Sequence, residues 1–259
     1  MILEDILKHK KDEVRALKEK TPLQSVARQA RSCSKQRRSL RKALSVPNRL
    51  HLICELKQAS PSEGILKKNF EPRKIAEAYQ SNGASAVSVL TESRYFKGSS
   101  KIPSQIRPAI RIPILRKDFI FDDYQIYETA LIEADAFLLI SSILTESEIN
   151  HFIQLGKELE LDALVEVHTQ GDLRKALKSN ADIIGINNRN LKTLDVDVRV
   201  AEGLIPMIPP GKTVVVESGI ESRETIARYH GLGVNCFLIG SALMKAENIG
   251  QKMSELLSP

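Results

Sequence analysis

The chain has 259 residues, 42% of them hydrophobic and 27% charged, with a formal charge of +6. This is the composition of an ordinary soluble protein with a sizeable core. No apolar run approaches the roughly 20 residues a membrane span needs, and the mixed charges of MILEDILKHKKDEVR lack a signal peptide's apolar centre. A cytoplasmic location is expected. Cys33, Cys54 and Cys236 are odd in number and widely spaced, which points to reduced thiols, and the scattered histidines show no metal-ligand spacing.

Residues 1–50 carry 14 Lys/Arg against 5 Asp/Glu, and Arg28 to Arg49 contains no acid. Such a segment could attract nucleic acid, but it has no aromatic residue for base stacking and no recognition-helix pattern. It is read as a solvated or anion-attracting face. Within it, Ile2, Leu3, Ile6, Leu7, Val14 and Leu17 fall on one side of a helix that Thr21-Pro22 stops. A second basic helix is expected over roughly 34–45, ended by Pro47-Asn48.

The pattern then changes to eight short apolar runs: HLICELK from His51, AVSVL from Ala86, IPILRK from Ile112, AFLLI from Ala136, ALVEVH from Ala163, DIIGIN from Asp182, TVVVESG from Thr213 and CFLIG from Cys236. Helices are expected between them at 72–82, 122–133, 145–160, 169–178, 221–230 and 243–257, with weaker signals near 100–109 and 196–204. Strands alternating with helices imply a parallel sheet with right-handed crossovers. Eight units favour closure into a single (β/α)8 TIM barrel, which typically uses ~250 residues. Residues 1–48 form an N-terminal helical extension and 49–259 the barrel. The rival open sheet that binds dinucleotides lacks its GxGxxG turn here.

In such barrels chemistry sits at the C-terminal strand ends. Here those ends hold Glu55 and Lys57 (two apart, hence on one side of a strand), then Lys117, Glu166, Asn187 and Arg189. One strand-end Lys or Glu is ordinarily a solvated rim residue. Two lysines, several carboxylates, an Asn and an Arg on one face imply a ligand, because clustered ionisable groups need partners. Ser60 to Gly64, Ser-Pro-Ser-Glu-Gly, follows the first strand as a polar turn that could face an anion. Ser218-Gly219 and Gly240-Ser241 follow the seventh and eighth strands, where barrels commonly hold phosphate. A phosphorylated small molecule is therefore the expected ligand. Neither nucleic acid, membrane nor an obligatory protein partner is inferred.

CELKQASPSEG, AVSVLTESRYFKGS, PILRKDFIFDDYQIYE, LVEVH, GINNRNLKTLDVD, VVESGI and FLIGSALM, in this order, resemble the successive signatures of the indole-3-glycerol phosphate synthase family. The resemblance runs from about residue 53 to 244. It implies conversion of 1-(2-carboxyphenylamino)-1-deoxyribulose 5-phosphate to indole-3-glycerol phosphate, carbon dioxide and water, with no metal or organic cofactor. It further implies that the extension packs across the barrel mouth. Carried over by motif, Lys117 is the general acid, and Lys57 pairs with the substrate carboxylate and shares acid duty. Glu166 serves dehydration and Glu55 orients the lysines. Asn187, Arg189 and Phe119 hold the anthranilate part, while Ser60, Ser218, Gly219, Gly240 and Ser241 hold the phosphate. Three positions depart from the family: Gln58 and Glu63 stand where basic residues are usual, and Glu133 where glycine is usual. A different phosphate-binding barrel, such as an isomerase, would need its own Asp or Cys acid–base pair and would leave Glu55, Lys57 and Lys117 unexplained.

Overall fold

The protein is described by a computed structural model over residues 2–33 and 36–257. Eight strands, β1 (His51–Leu56), β2 (Ala86–Leu90), β3 (Ile114–Lys117), β4 (Ala136–Ile140), β5 (Asp162–Val167), β6 (Ile183–Asn187), β7 (Thr213–Glu217) and β8 (Cys236–Ile239), pair in parallel and close on themselves. Each pairs with its neighbour in sequence, and β8 returns to β1. All eight correspond to the apolar runs. A two-stranded hairpin, Ala59–Ser60 with Gly64–Ile65, adds a flap after β1.

Alternation along the strands divides the core into two shells. Ile53, Ala86, Leu115, Ala136, Leu138, Leu164, Ile183, Val215 and Leu238 fill the barrel interior. Their neighbours, among them Leu52, Val87, Phe137, Val165, Ile184, Val216 and Phe237, pack outward on the helices. Helices start where local chemistry satisfies their free amides: Thr145 with Glu148, and Thr169 with Asp172, form reciprocal capping boxes. Among the described residues no helix is long and apolar enough to cross a membrane.

The extension departs from expectation. Its first helix, α1 (Ile2–Lys20), does lie at the mouth, where Lys10 reaches Asp118 just past β3. The second is α2 (Leu23–Arg31), not a helix over 34–45. Residues 34 and 35 lie outside the described residues, and the rest of that stretch yields only the turn α3 (Leu40–Ala43). The buried face of α2 is Val26, Ala27 and Ala30, whose small side chains give a weak periodic signal beside so many arginines. Residues 36–44 then close the opposite end of the barrel. There Leu40 and Leu44 plug the interior, Arg38 N donates to Asp135 (2.8 Å), Ser39 Oγ to Asp162 (2.8 Å), and Arg41 pairs with Asp182 (3.3 Å). Part of this basic stretch is thus tied to the barrel rather than forming one solvated face: Arg41 pairs with a strand-start acid, and the guanidiniums of Arg37 and Arg38 donate to the backbone carbonyls of Ala130, Ala134 and Ile112. The expected last helix, 243–257, is two: Ser241–Lys245 and Ile249–Leu257.

Candidate active site

Strand register brings the polar ends together. Asn187 stands beside Glu217, Ile140 beside Glu166, and Leu90 beside Lys117. The Lys117 ammonium lies 2.8 Å from Glu166 Oε2 and 3.2 Å from Glu217 Oε2. Lys57, one residue beyond β1, lies 3.1 Å from Glu55 Oε2. Two glycines make room for these carboxylates. A Cβ at Gly185 would collide with Glu217 Oε1 and with Leu164, and one at Gly240 with Glu55 Oε2.

The sequence leaves open whether burial or the carboxylates govern the lysines. At Lys117 burial favours the neutral amine, but Glu166, Glu217 and Glu55 outweigh it and hold the pKa above the ordinary lysine value. Glu217 shows the reverse balance. Burial pushes its carboxyl up, Lys117 opposes, Glu166 and Glu55 reinforce, and it settles at about 8. Its ion-pair contact with Lys117 is poorly directed, so neither carboxyl oxygen has a good hydrogen-bond partner among the described residues. A buried acid of that kind can donate to a ligand that arrives.

Behind Lys117, Asp118 is braced from four sides. It accepts from Lys10 of α1 (3.0 Å), Thr91 Oγ1 (2.5 Å), Arg116 (3.1 Å) and the Phe119 amide (2.9 Å). Burial works against its charge, but Lys10 and Arg116 hold its pKa below the ordinary value. This fixes the chain on both sides of Asp118. Phe119 is thereby held against Phe96, with ring centroids 6.3 Å apart, as an apolar wall.

On the far side, Ser218 and Gly219 both have left-handed backbone (φ 67° and 74°), unusual for a serine. Buried Asn188 holds this turn, donating to Ser218 O (3.0 Å) and Tyr229 Oη (2.9 Å) while accepting from Ala201 N (3.1 Å). Asn187 Oδ1 accepts from Arg189 N (2.9 Å), and the Arg189 guanidinium donates to Leu194 O (2.8 Å) and Ser62 Oγ (3.3 Å). Arg189 therefore joins the 189–196 loop to the flap.

A single cavity of about 210 Å³ is lined by Glu55, Lys57, Ser60, Lys117, Phe119, Glu166, Asn187, Arg189, Ser218, Gly219, Gly240 and Ser241. Every candidate catalytic, substrate and phosphate residue proposed from the sequence reaches it. Its apolar side is Leu138, Ile140, Leu191, Leu194 and Leu238, and its remaining carboxylates include Glu217 and Glu63. Glu217 ends the seventh apolar run just as Glu166 lies in the fifth, but only the two turn residues after it receive a site role from the sequence. Leu191 and Leu194 lie within the GINNRNLKTLDVD stretch but receive no site role from the sequence, because an apolar loop residue looks like any other until the loop is folded.

A closed barrel of eight parallel strands with a charged cavity at the C-terminal strand ends defines the class of TIM-barrel proteins. Thiamine phosphate pyrophosphorylase from Pyrococcus furiosus has the same fold, with a TM-score of 0.61 at 18% identity over 84% of this chain and 96% of that one. The family model for indole-3-glycerol phosphate synthase matches residues 3–256. The chain is 41% identical over 257 residues to indole-3-glycerol phosphate synthase of Aliarcobacter butzleri, covering 98% of each. It is 42% identical to that of Alkaliphilus metalliredigens, covering 100% of this chain and 98% of the other. The chain belongs to the indole-3-glycerol phosphate synthase family.

Proposed function

We propose that the cavity converts 1-(2-carboxyphenylamino)-1-deoxyribulose 5-phosphate to indole-3-glycerol phosphate, releasing carbon dioxide and water. Family membership supports the reaction, and one observation carries it into this molecule. Lys117 is held as an ammonium among the buried carboxyl groups of Glu166, Glu217 and Glu55, between an aromatic wall and the Gly-Ser turns. The substrate has matching parts: an anthranilate ring, a carbonyl to be attacked and a terminal phosphate.

In this reading the phosphate sits at Ser60, Ser218, Gly219, Gly240 and Ser241, and the ring lies against Phe119, with Asn187 and Arg189 aligning it. Lys57, steered by Glu55, pairs with the substrate carboxylate. Lys117 protonates the carbonyl oxygen as the ring carbon attacks, which avoids an unstabilised alkoxide. Carbon dioxide then leaves, restoring a neutral framework. Loss of the hydroxyl as water requires one proton delivered to oxygen and one removed from the ring system. Glu166, in contact with Lys117, serves that exchange, and Glu217, protonated near neutrality, donates a hydrogen bond to the departing oxygen. An isomerase reading finds no support in the cysteines. Cys54 packs in the outer shell and Cys236 among the interior residues near Leu44 at the opposite end, their thiols pushed up by burial.

The test is incubation of purified protein with the carboxyphenylamino-deoxyribulose phosphate while indole fluorescence is followed. Wild type forms product, and Lys117→Ala lowers turnover by about 10²–10⁴. Absence of product with wild type overturns the proposed reaction. Full turnover by Lys117→Ala overturns only the role of that lysine.

A further inference from the structure

The flap after β1 carries an acid into the end of the cavity assigned above to phosphate. Glu63 Oε2 accepts from Ser241 Oγ at 2.5 Å, and Glu63 Oε1 from Lys245 Nζ at 2.5 Å. The flap is tied down on both flanks. Ser62 meets Arg189 (3.3 Å), and Lys67 donates to Ala246 O (3.3 Å). Inside the flap, Ser60 Oγ accepts from Glu63 N (3.2 Å), which sets where the carboxylate points. Burial opposes charge on Glu63, yet Lys245, Ser241 and Lys57 hold its pKa below the ordinary value. The group is thus an anion, seated on one hydroxyl and one ammonium beside Gly240.

We propose that Glu63 is an internal stand-in for the substrate's phosphate. In the free protein its carboxylate occupies the Ser241–Lys245 donor pair. On binding, a phosphoryl oxygen takes those donors, the Glu63 side chain turns away to solvent while Ser60 stays at the phosphate, and Lys245 becomes the cation of the phosphate subsite. The chemistry favours exchange: a carboxylate offers two acceptor oxygens to this pair, and a phosphate offers the same geometry with more charge. Glu63 cannot remain close to the incoming group without like-charge repulsion. It therefore sets affinity, because substrate binds only the fraction of molecules in which the donor pair is free. This inference rests on the placement of phosphate at this end of the cavity.

The test titrates inorganic phosphate into full-length wild type, Glu63→Gln and Lys245→Met by calorimetry at fixed ionic strength, and repeats each titration as competition against substrate turnover. Glu63→Gln keeps the side chain's shape and frees the pair. An ion pair with an exposed lysine and a partly covered glutamate, plus one added hydrogen bond, is worth at most about 1 kcal/mol, so phosphate should bind up to about fivefold tighter. Lys245→Met should bind it about fivefold weaker or worse, and KM for substrate should move the same way in each variant. If wild type binds phosphate competitively but Glu63→Gln binds it no tighter, the stand-in is overturned and the phosphate site stands. If phosphate competes with substrate in none of the three, the placement of the phosphate falls, and the stand-in with it.

Discussion

Lys10 offers the sharpest check on how α1 serves the cavity. Its ammonium is buried at 2% exposure, 3.0 Å from Asp118 and 2.9 Å from Glu13. Lys10→Met keeps the aliphatic stem and removes the charge. Breaking a buried pair by deleting one partner costs about 3–5 kcal/mol when the other is left bare. Asp118 retains Arg116, Thr91 and the Phe119 amide, so about 2–3 kcal/mol is expected here. At roughly 2–4 °C per kcal/mol for a chain of this size, the thermal midpoint should fall by about 5–10 °C. The pH dependence is fixed by two shifts. Burial lowers the Lys10 pKa, but Asp118 and Glu13 raise it further, to a net value above the ordinary 10.5. Its contribution is complete below 10.5 and fades as pH rises through the folded value. The Asp118 pKa is depressed, so its contribution is complete above 3.8 and is lost as pH falls through the folded value. The deficit of Lys10→Met should be constant across neutral pH and narrow at both extremes. Because Lys117 and Phe119 flank Asp118, kcat should also fall, by about tenfold. Calorimetric melts from acid to alkaline pH and steady-state kinetics provide the readout. A midpoint within about 1 °C of wild type with unchanged kcat would refute the account of α1 as a brace.

Three other perturbations read different parts of the molecule. The Glu217 pKa of about 8 lies above its ordinary 4.5, so ionising it costs stability as pH climbs between those values. Glu217→Gln, neutral throughout, should gain on wild type in denaturant melts from pH 4.5 upward and level off above about pH 8, while losing turnover; parallel stability–pH curves would contradict this. Gly240→Ala places a methyl group on Glu55 Oε2, so kcat should fall by about tenfold or more with the midpoint lowered by only a few degrees, as kinetics and melting together will show. Glu133 occupies a left-handed turn at φ 66°. Glu133→Gly should stabilise by about 1 kcal/mol, measured by urea unfolding, and an unchanged or lower midpoint would count against strain there.

The barrel was legible in the chain because its signals are local. A strand buried on both faces must be apolar nearly throughout, a helix start must supply its own cap, and eight repeats of the pair leave few ways to close. The strand-end residues were legible for a related reason: a Lys or Glu ending an apolar run is costly unless something waits for it. Distances between strands belonged to the tertiary structure alone. Only closure with this register brings Lys117 to Glu166 and Glu217 at once, and only then do the carboxylates prevail over burial in holding the lysine charged. The missing side chains of Gly185 and Gly240 acquire meaning the same way, as space for acids on neighbouring strands. The division of the extension between the two ends of the barrel was likewise decided in three dimensions. Its alanines and arginines are ambiguous until Asp135, Asp162 and Asp182 gather at one end and Asp118 stands at the other. Glu63 shows the limit most directly. The sequence marked it as a carboxylate where a basic residue is usual, and only the folded flap revealed that it sits on Ser241 and Lys245.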